Sequence, residues 1–204
     1  MTIRAEFGSS LPDVRLTGEN IELRPFTHAD LGVVEEASRD ELIPRITTVP
    51  ADYSESEGLA FIDRQHTRRT SGEGWSLAIA TPDRSTAVGQ IGLWIPHIHK
   101  GRVELGYWVV ESGRGRHAAA KALALLSEWA LANLDVDRLH LFVEPWNTAS
   151  RRTAERAGFE QESLLRSWER VDGEAKDMWS YIRLRSIQDL ENTDRSAPTG
   201  SASG

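Results

Sequence analysis

The chain has 204 residues, no cysteine and a formal net charge of −7, with 39% apolar and 27% charged residues. That length suits one domain with a sizeable core, and the missing cysteines exclude disulfides, a thiolate zinc site and a cysteine nucleophile. The acidic balance speaks against DNA binding, which favours basic surfaces; it suits a cationic partner such as an amine, although charge also simply keeps proteins soluble.

No apolar run reaches the roughly 18 residues of a membrane span, and no signal peptide opens the chain, so a cytoplasmic location and no membrane partner are expected. His97 and His99 lie two apart, which is not a metal-ligand spacing, so no metal is expected. Residues 1–13 read as a flexible N-terminal segment, and residues 187–204, ending in the polar, breaker-rich NTDRSAPTGSASG, as a disordered tail. Residues 14–186 form the expected domain.

Within it, residues 20–24 (NIELR) read as a strand. Residues 27–38 read as a helix with Thr27 as N-cap and Leu31, Val34 and Ala37 at helical spacing. Residues 39–54, with Pro44 and Pro50, read as a loop. A second helix is expected over 55–69. Strands follow over 75–80, 87–95 and 102–110, the first two separated by Pro82 and Asp83. A long helix spans 116–134, a strand 138–144 and a short helix 148–157, closed by Gly158. Strands over 164–171 and 175–183 flank Asp172-Gly173, a favoured hairpin turn pair. The pattern is α+β, a central mixed sheet flanked by helices.

The most informative stretch is ELGYWVVESGRGRHAAAKAL, starting at Glu104. A strand ends, a basic glycine-containing loop follows, and a helix begins at once. Backbone N–H groups at a helix start have no intrahelical partner, and with the helix dipole they favour an anion. Gly113 and Gly115 let the backbone approach a ligand closely, Arg114 and Arg116 add charge, and Ala118, Ala119 and Ala120 keep the first turn narrow. On these grounds alone the loop reads equally as a surface turn with solvated arginines. It is neither the G-K-[ST] phosphate loop nor the dinucleotide G-x-G-x-x-G.

The string GYWVVESGRGRHAAAKAL resembles the acyl-CoA signature of the GNAT superfamily, with His117 standing where that family usually has glycine. EPWNTASRRTAERAGF, from Glu144, resembles the family's N-x-x-S helix followed by G-F, in its RimJ/RimL-like, ribosomal-protein N-acetyltransferase branch. The resemblance implies a GNAT fold, mostly antiparallel in its sheet, that binds acetyl-CoA as acyl donor. It implies direct transfer to an amine, either a protein N-terminal α-amine or a small-molecule amine, and allows a homodimer. It places the pyrophosphate on Arg114, Gly115, Arg116, His117, Ala118 and Ala119. The pantetheine arm falls on the backbone of Trp108, Val109 and Val110, where Gly106 eases a distortion, and on Asn147, which is equally an N-cap.

Glu104, a carboxylate in an otherwise apolar strand, is the candidate general base, because amine attack needs a neutral amine; an ion pair with Arg102 or a neighbouring strand is the alternative. Ser150 is the candidate acid at the leaving sulfur, or a first-turn capping serine. Tyr107 and the seven tryptophans are candidates to shape an acceptor pocket, Trp146 foremost, whereas Trp75, Trp94, Trp108, Trp129 and Trp179 read as core residues. Arg39, Asp40, Glu41 and Arg45 fall in the loop that would cover the acceptor side. The competing readings are a non-catalytic acyl-CoA-binding or regulatory module, and an unrelated α/β protein whose loop holds another phosphate ligand.

Overall fold

A computed structural model describes residues 3–81 and 86–186. The tail expected over 187–204, and the turn residues Pro82 and Asp83, lie outside the described residues. Eight strands form one sheet in the order β1-β2-β3-β4-β5-β6-β8-β7. They are β1 (Leu16–Gly18), β2 (Ile21–Arg24), β3 (Gly74–Ala80), β4 (Ala87–Trp94), β5 (Arg102–Val109), β6 (Arg138–Val143), β7 (Glu160–Val171) and β8 (Glu174–Leu184). Every neighbouring pair is antiparallel except β5–β6. The helices are α1 (Leu31–Ser38), α2 (Ile43–Ile46), α3 (Glu55–Thr70), α4 (Ala118–Asn133) and α5 (Thr148–Arg156). The long helix α4 makes the β5–β6 crossover, as parallel neighbours require.

Two apolar clusters sandwich the first half of the sheet. Leu77, Ile91, Leu93, Val103 and Leu105 pack against Leu123, Leu126 and Ala130 of α4. On the other face Phe26, Ala78 and Trp108 pack with Val34 of α1 and Phe61 of α3. Buried on both faces, β3 shows no polar–apolar alternation in its burial. β6 does alternate: Leu139, Leu141 and Val143 are buried in the α4 cluster, whereas His140 and Phe142 stay half-exposed on the opposite face. Among the described residues that face of β6, β8 and β7 has no helix over it, and there the concavity described below opens.

Some local features depart from the sequence reading. β1 is additional, and three residues are too few to carry a period. The loop expected over 39–54 contains the single helical turn α2, with Pro44 at its start, where the missing N–H breaks no helical bond. Thr27 caps a 3₁₀ turn (His28–Asp30) that leads into α1. Within it Asp30 is fully buried and takes a bidentate pair from Arg24 at 2.7 and 2.8 Å, plus the Ala87 amide at 2.8 Å. One carboxylate thus ties β2, α1 and β4 together.

The N-terminal segment expected to be flexible is held at several points. Ile3 bridges Leu134, Leu11 is buried, and the Trp75 indole donates to the Pro12 carbonyl at 2.9 Å. Apolar Leu11 and Val14 have a core to enter, which outweighs the polar residues around them. β7 begins at Glu160, four residues before the expected start, and breaks register twice along β8.

Candidate active site

β5 and β6 pair only at Arg102↔Arg138, Val103↔Leu139 and Glu104↔His140. Beyond Glu104 the two strands part. β5 continues against β4 as far as Val109, and β6 against β8 as far as Val143. The result is a wedge with Glu104 and His140 at its vertex and unpaired backbone edges along both arms. α4 and α5 begin past its open end.

The direction of the β5 backbone groups follows from one bond. The Val110 amide donates to Val88 on β4 at 3.0 Å. In an antiparallel ladder alternate residues turn both backbone groups to the same neighbour. Trp108 therefore also faces β4, while Leu105, Tyr107 and Val109 face the wedge. Of the expected pantetheine contacts Trp108, Val109 and Val110, only Val109 has its polar backbone groups turned inward, and its carbonyl already accepts from Arg114 Nε at 3.1 Å. The phase of the alternation is invisible in the sequence. A methyl group at Gly106 would meet Trp94 at an ordinary 3.9 Å, so neither a bulge nor tight packing demands glycine there.

The loop between β5 and α4 is tightly built. Gly113 is packed, since a Cβ would come within 2.8 Å of Val88. Gly115 has φ +82° and open space above it. His117 caps α4 in the left-handed region, at φ 58° and ψ 19°, a conformation that glycine adopts freely and that asparagine, aspartate and histidine adopt more readily than other side-chain-bearing residues, at some strain. The amides of Ala118, Ala119 and Ala120 open the helix, where no intrahelical partner exists. Arg114 is committed to Asp40 at 2.5 Å as well as to Val109, and Arg156 meets the His117 ring at 3.2 Å. Burial pushes the Asp40 carboxyl up, but the amides of Leu42 and Ile43 and the Arg114 guanidinium outweigh it and hold its pKa below the usual value. Glu36 accepts from both the amide and the hydroxyl of Ser112 at 2.8 Å. Arg116 also lies in this loop and makes interactions of its own.

At the start of α5, Asn147 Oδ1 accepts from the Ser150 amide at 3.0 Å, which makes Asn147 an N-cap. The Ser150 hydroxyl lies 2.8 Å from the Tyr107 hydroxyl. Tyr107 thus spans the wedge to α5 instead of lining an acceptor pocket, because its side chain points to the α4 face with Leu105. Burial raises its pKa, partly offset by hydrogen bonds with Ser150 and Thr153. Glu104 and Ser150 flank the wedge from opposite faces of the sheet and make no hydrogen bond with each other.

On Glu104's face lies a concavity of 330 Å³ whose lining includes Trp94, Glu104, His140, Phe142, Leu165 and Trp168. Glu104 is exposed on this wall rather than buried in its strand; partial desolvation by the surrounding protein, followed by the nearby charge of Glu169, pushes its carboxyl above the usual range. Among the described residues Glu104 makes no ion pair. His140 Nε2 accepts from Arg138 Nε at 2.9 Å, so the neutral ring carries its proton on Nδ1, a buried atom without a hydrogen-bond partner. Burial, then Arg138 and Arg102, lower its pKa. Sequence reasoning missed His140 and Phe142, and did not single out Trp168 among the tryptophans. The alternation of RLHLFV was a usable signal for the first two; nothing local marked Trp168.

Two other expectations move. Trp146 is 60% exposed, bonded to Glu144, and lies outside the concavity. Arg45 pairs with Asp172 at 2.5 Å, clasping residues 39–54 to the β7–β8 turn, and Arg39 pairs with Glu35. Among the described residues no helix is long and apolar enough to cross a membrane, and no group of three or more His, Asp or Glu side chains is arranged to hold a metal ion.

Comparisons with known proteins agree with this layout. The chain is 23% identical over 167 residues to the uncharacterized N-acetyltransferase p20 of Bacillus licheniformis, covering 82% of this chain and 94% of that protein. RimJ of Mycobacterium smegmatis, solved with CoA-disulfide, superposes with a TM-score of 0.71 at 21% identity, covering 93% of each chain. The ribosomal L7/L12 α-N-protein acetyltransferase RimL, solved with coenzyme A, gives a TM-score of 0.69 at 18% identity, over 84% of this chain and 98% of that one. The Microcin C7 self-immunity acetyltransferase MccE, solved with acetyl-CoA and AMP, gives 0.71 at 19%, over 82% and 93%. Residues 20–160 match the Acetyltransferase (GNAT) domain family, and the chain is therefore a GNAT acetyltransferase.

Proposed function

We propose that this acetyltransferase moves the acetyl group of acetyl-CoA directly to a primary amine in a ternary complex. The observation that carries the reading is the short β5–β6 ladder. It opens a wedge from Glu104 toward the first turn of α4, long enough to take an extended arm whose anionic end meets helix-start amides. Acetyl-CoA supplies the activated acyl group; the chain supplies position and charge. In this reading the amides of Gly115 and His117 to Ala119, with Arg114 and Arg116, hold the pyrophosphate. The inward groups of Val109 and Tyr107 hold the arm, and an inward β5 amide polarises the thioester carbonyl. Asn147 orients α5, so that Ser150, backed by Tyr107, donates a hydrogen bond to the departing sulfur.

Glu104 takes the proton from the incoming ammonium, directly or through water. Its raised pKa brings it closer to that of the group it must deprotonate. The acceptor enters from the concavity on Glu104's face. The RimJ and RimL likenesses favour a protein N-terminal α-amine; a small-molecule amine uses the same geometry.

The test is calorimetric titration of acetyl-CoA, with Arg114→Ala and Gly115→Asp as controls, followed by acceptor-dependent thiol release. Saturable binding weakened by both changes, with release that Glu104→Gln abolishes, supports the reading. Binding without release for any amine would instead identify a non-catalytic acyl-CoA-binding module.

A further inference from the structure

The wall of the concavity holds an arrangement that acetyl transfer itself does not need. The Phe142 ring lies tilted against Trp168, with centroids 5.3 Å apart, and against His140 at 5.9 Å, a run of rings that starts beside Glu104 at the wedge vertex. Trp168 reaches it through a distorted strand. Between Leu165↔Met178 and Glu169↔Lys176, β7 carries more residues than β8. Within this bulge Ser167 takes φ +51°, and its amide is held by Asp177 Oδ1 at 2.9 Å. Bulges re-aim side chains, and a left-handed serine is held only at an energetic cost. What that cost secures is a tryptophan that remains 54% exposed, facing a pocket rather than the core.

The charges of the lining are equally selective. Glu162 is neutralised by Arg138, and Arg102 and His97 also line the cavity. Of the carboxylates that line the concavity, Glu104 is the one without an ion pair among the described residues; Glu169, outside the lining, adds a nearby negative charge. The lining itself thus matches one cation.

Resting on the acetyl-transfer reading above, we infer that the acceptor is a primary monoamine carrying a flat ring, which stacks on Trp168 and Phe142 while its amine reaches Glu104. The ring belongs either to a free arylalkylamine or to an aromatic N-terminal residue of a peptide. Polyamines and aminoglycosides, with several cations and no flat ring, are disfavoured.

The experiment compares kcat/KM for phenethylamine, tryptamine, a peptide with N-terminal Phe, the same peptide with N-terminal Ser, spermidine and an aminoglycoside. The ring-bearing amines are expected to exceed the others by about ten-fold or more. Trp168→Ala should erase that preference by lowering kcat/KM for the ring-bearing amines far more than for the ringless ones, and Trp168→Phe should restore it. The ratio of free amine to Phe peptide tells the two sources apart, and either source supports the inference. Equal rates for ringless amines, or a preference that survives Trp168→Ala, would overturn it.

Saturation-transfer NMR of the same amines on CoA-loaded protein separates the two readings. Ring signals lost in Trp168→Ala without any turnover would keep the ring site and discard the acetyl-transfer assignment. No ring signal in the wild-type protein would discard the ring site itself.

Discussion

The loop before α4 and the open face of β6 and β7 lie at two ends of one cleft, yet they are built from different materials. The loop works with backbone: left-handed Gly115 and His117, and a helix start of three alanines. The open face works with side chains brought together from separate strands: Glu104, Phe142 and Trp168. A backbone site tolerates changes of neighbouring side chains but not of conformation. A side-chain site is the reverse. On the proposed reading, the loop end is suited to one constant ligand, and the open face can be retuned by single substitutions.

The sharpest way to separate the ends is at the vertex. Glu104→Gln should lower kcat by about 10²–10⁴-fold and leave the acetyl-CoA Kd unchanged, as stopped-flow and calorimetry together would show. A matching loss of acetyl-CoA affinity would mean that the two ends are not distinct. Next, Gly115→Asp forces a side chain into φ +82° and places a negative charge at the anion site. Acetyl-CoA Kd should rise by roughly 10–100-fold, taking about 1–3 kcal/mol for the strained position, while kcat at saturating donor is largely kept.

Ser150→Ala removes one hydrogen bond at the junction of the ends, and kcat should fall by about ten-fold, in line with about 1–1.5 kcal/mol for such a bond. A smaller shift reads out electrostatics. As a base, Glu104 works when ionised, so kcat/KM should rise with pH through a limb set by its raised pKa, above the roughly 4.3 of a free glutamate. Glu169→Gln removes the repelling charge and should move that limb to lower pH, because a like charge disfavours ionisation. The least effect is expected from His117→Gly. It relieves the left-handed strain at the α4 cap, so thermal stability should rise slightly, by about 0.4–1 kcal/mol at most, with little change in donor Kd.

The same contrast explains what could be read from the chain. The strand–loop–helix turn before α4 was legible because its information is contiguous: Gly115, Arg114 and the alanine run stand next to one another, and their conformational preferences act locally. The order of the main elements was legible for the same reason. Which of Trp108, Val109 and Val110 faces the wedge was not, since it depends on the register against β4. The Tyr107–Ser150 contact joins residues 43 positions apart, with a helix and a strand between them. Trp168 reaches the pocket through a bulge defined only by pairing with β8. α2 was hidden because Pro44 reads as a breaker when considered without its position in the turn.

The stretch from Glu36 to Arg45 holds on to both ends of the cleft. Glu36 binds Ser112 and Asp40 binds Arg114, while Arg45 binds Asp172 at the tip of the β7–β8 hairpin. On the proposed reading, the donor loop and the hairpin beside the acceptor face share a mechanical element, and thermodynamic linkage would make any effect it carries reciprocal. Whatever factor a bound acceptor imposes on acetyl-CoA affinity through this stretch, acetyl-CoA imposes the same factor on the acceptor. Order of addition in the kinetics would then be a property of these three polar contacts, adjustable without touching any group that meets the reacting atoms.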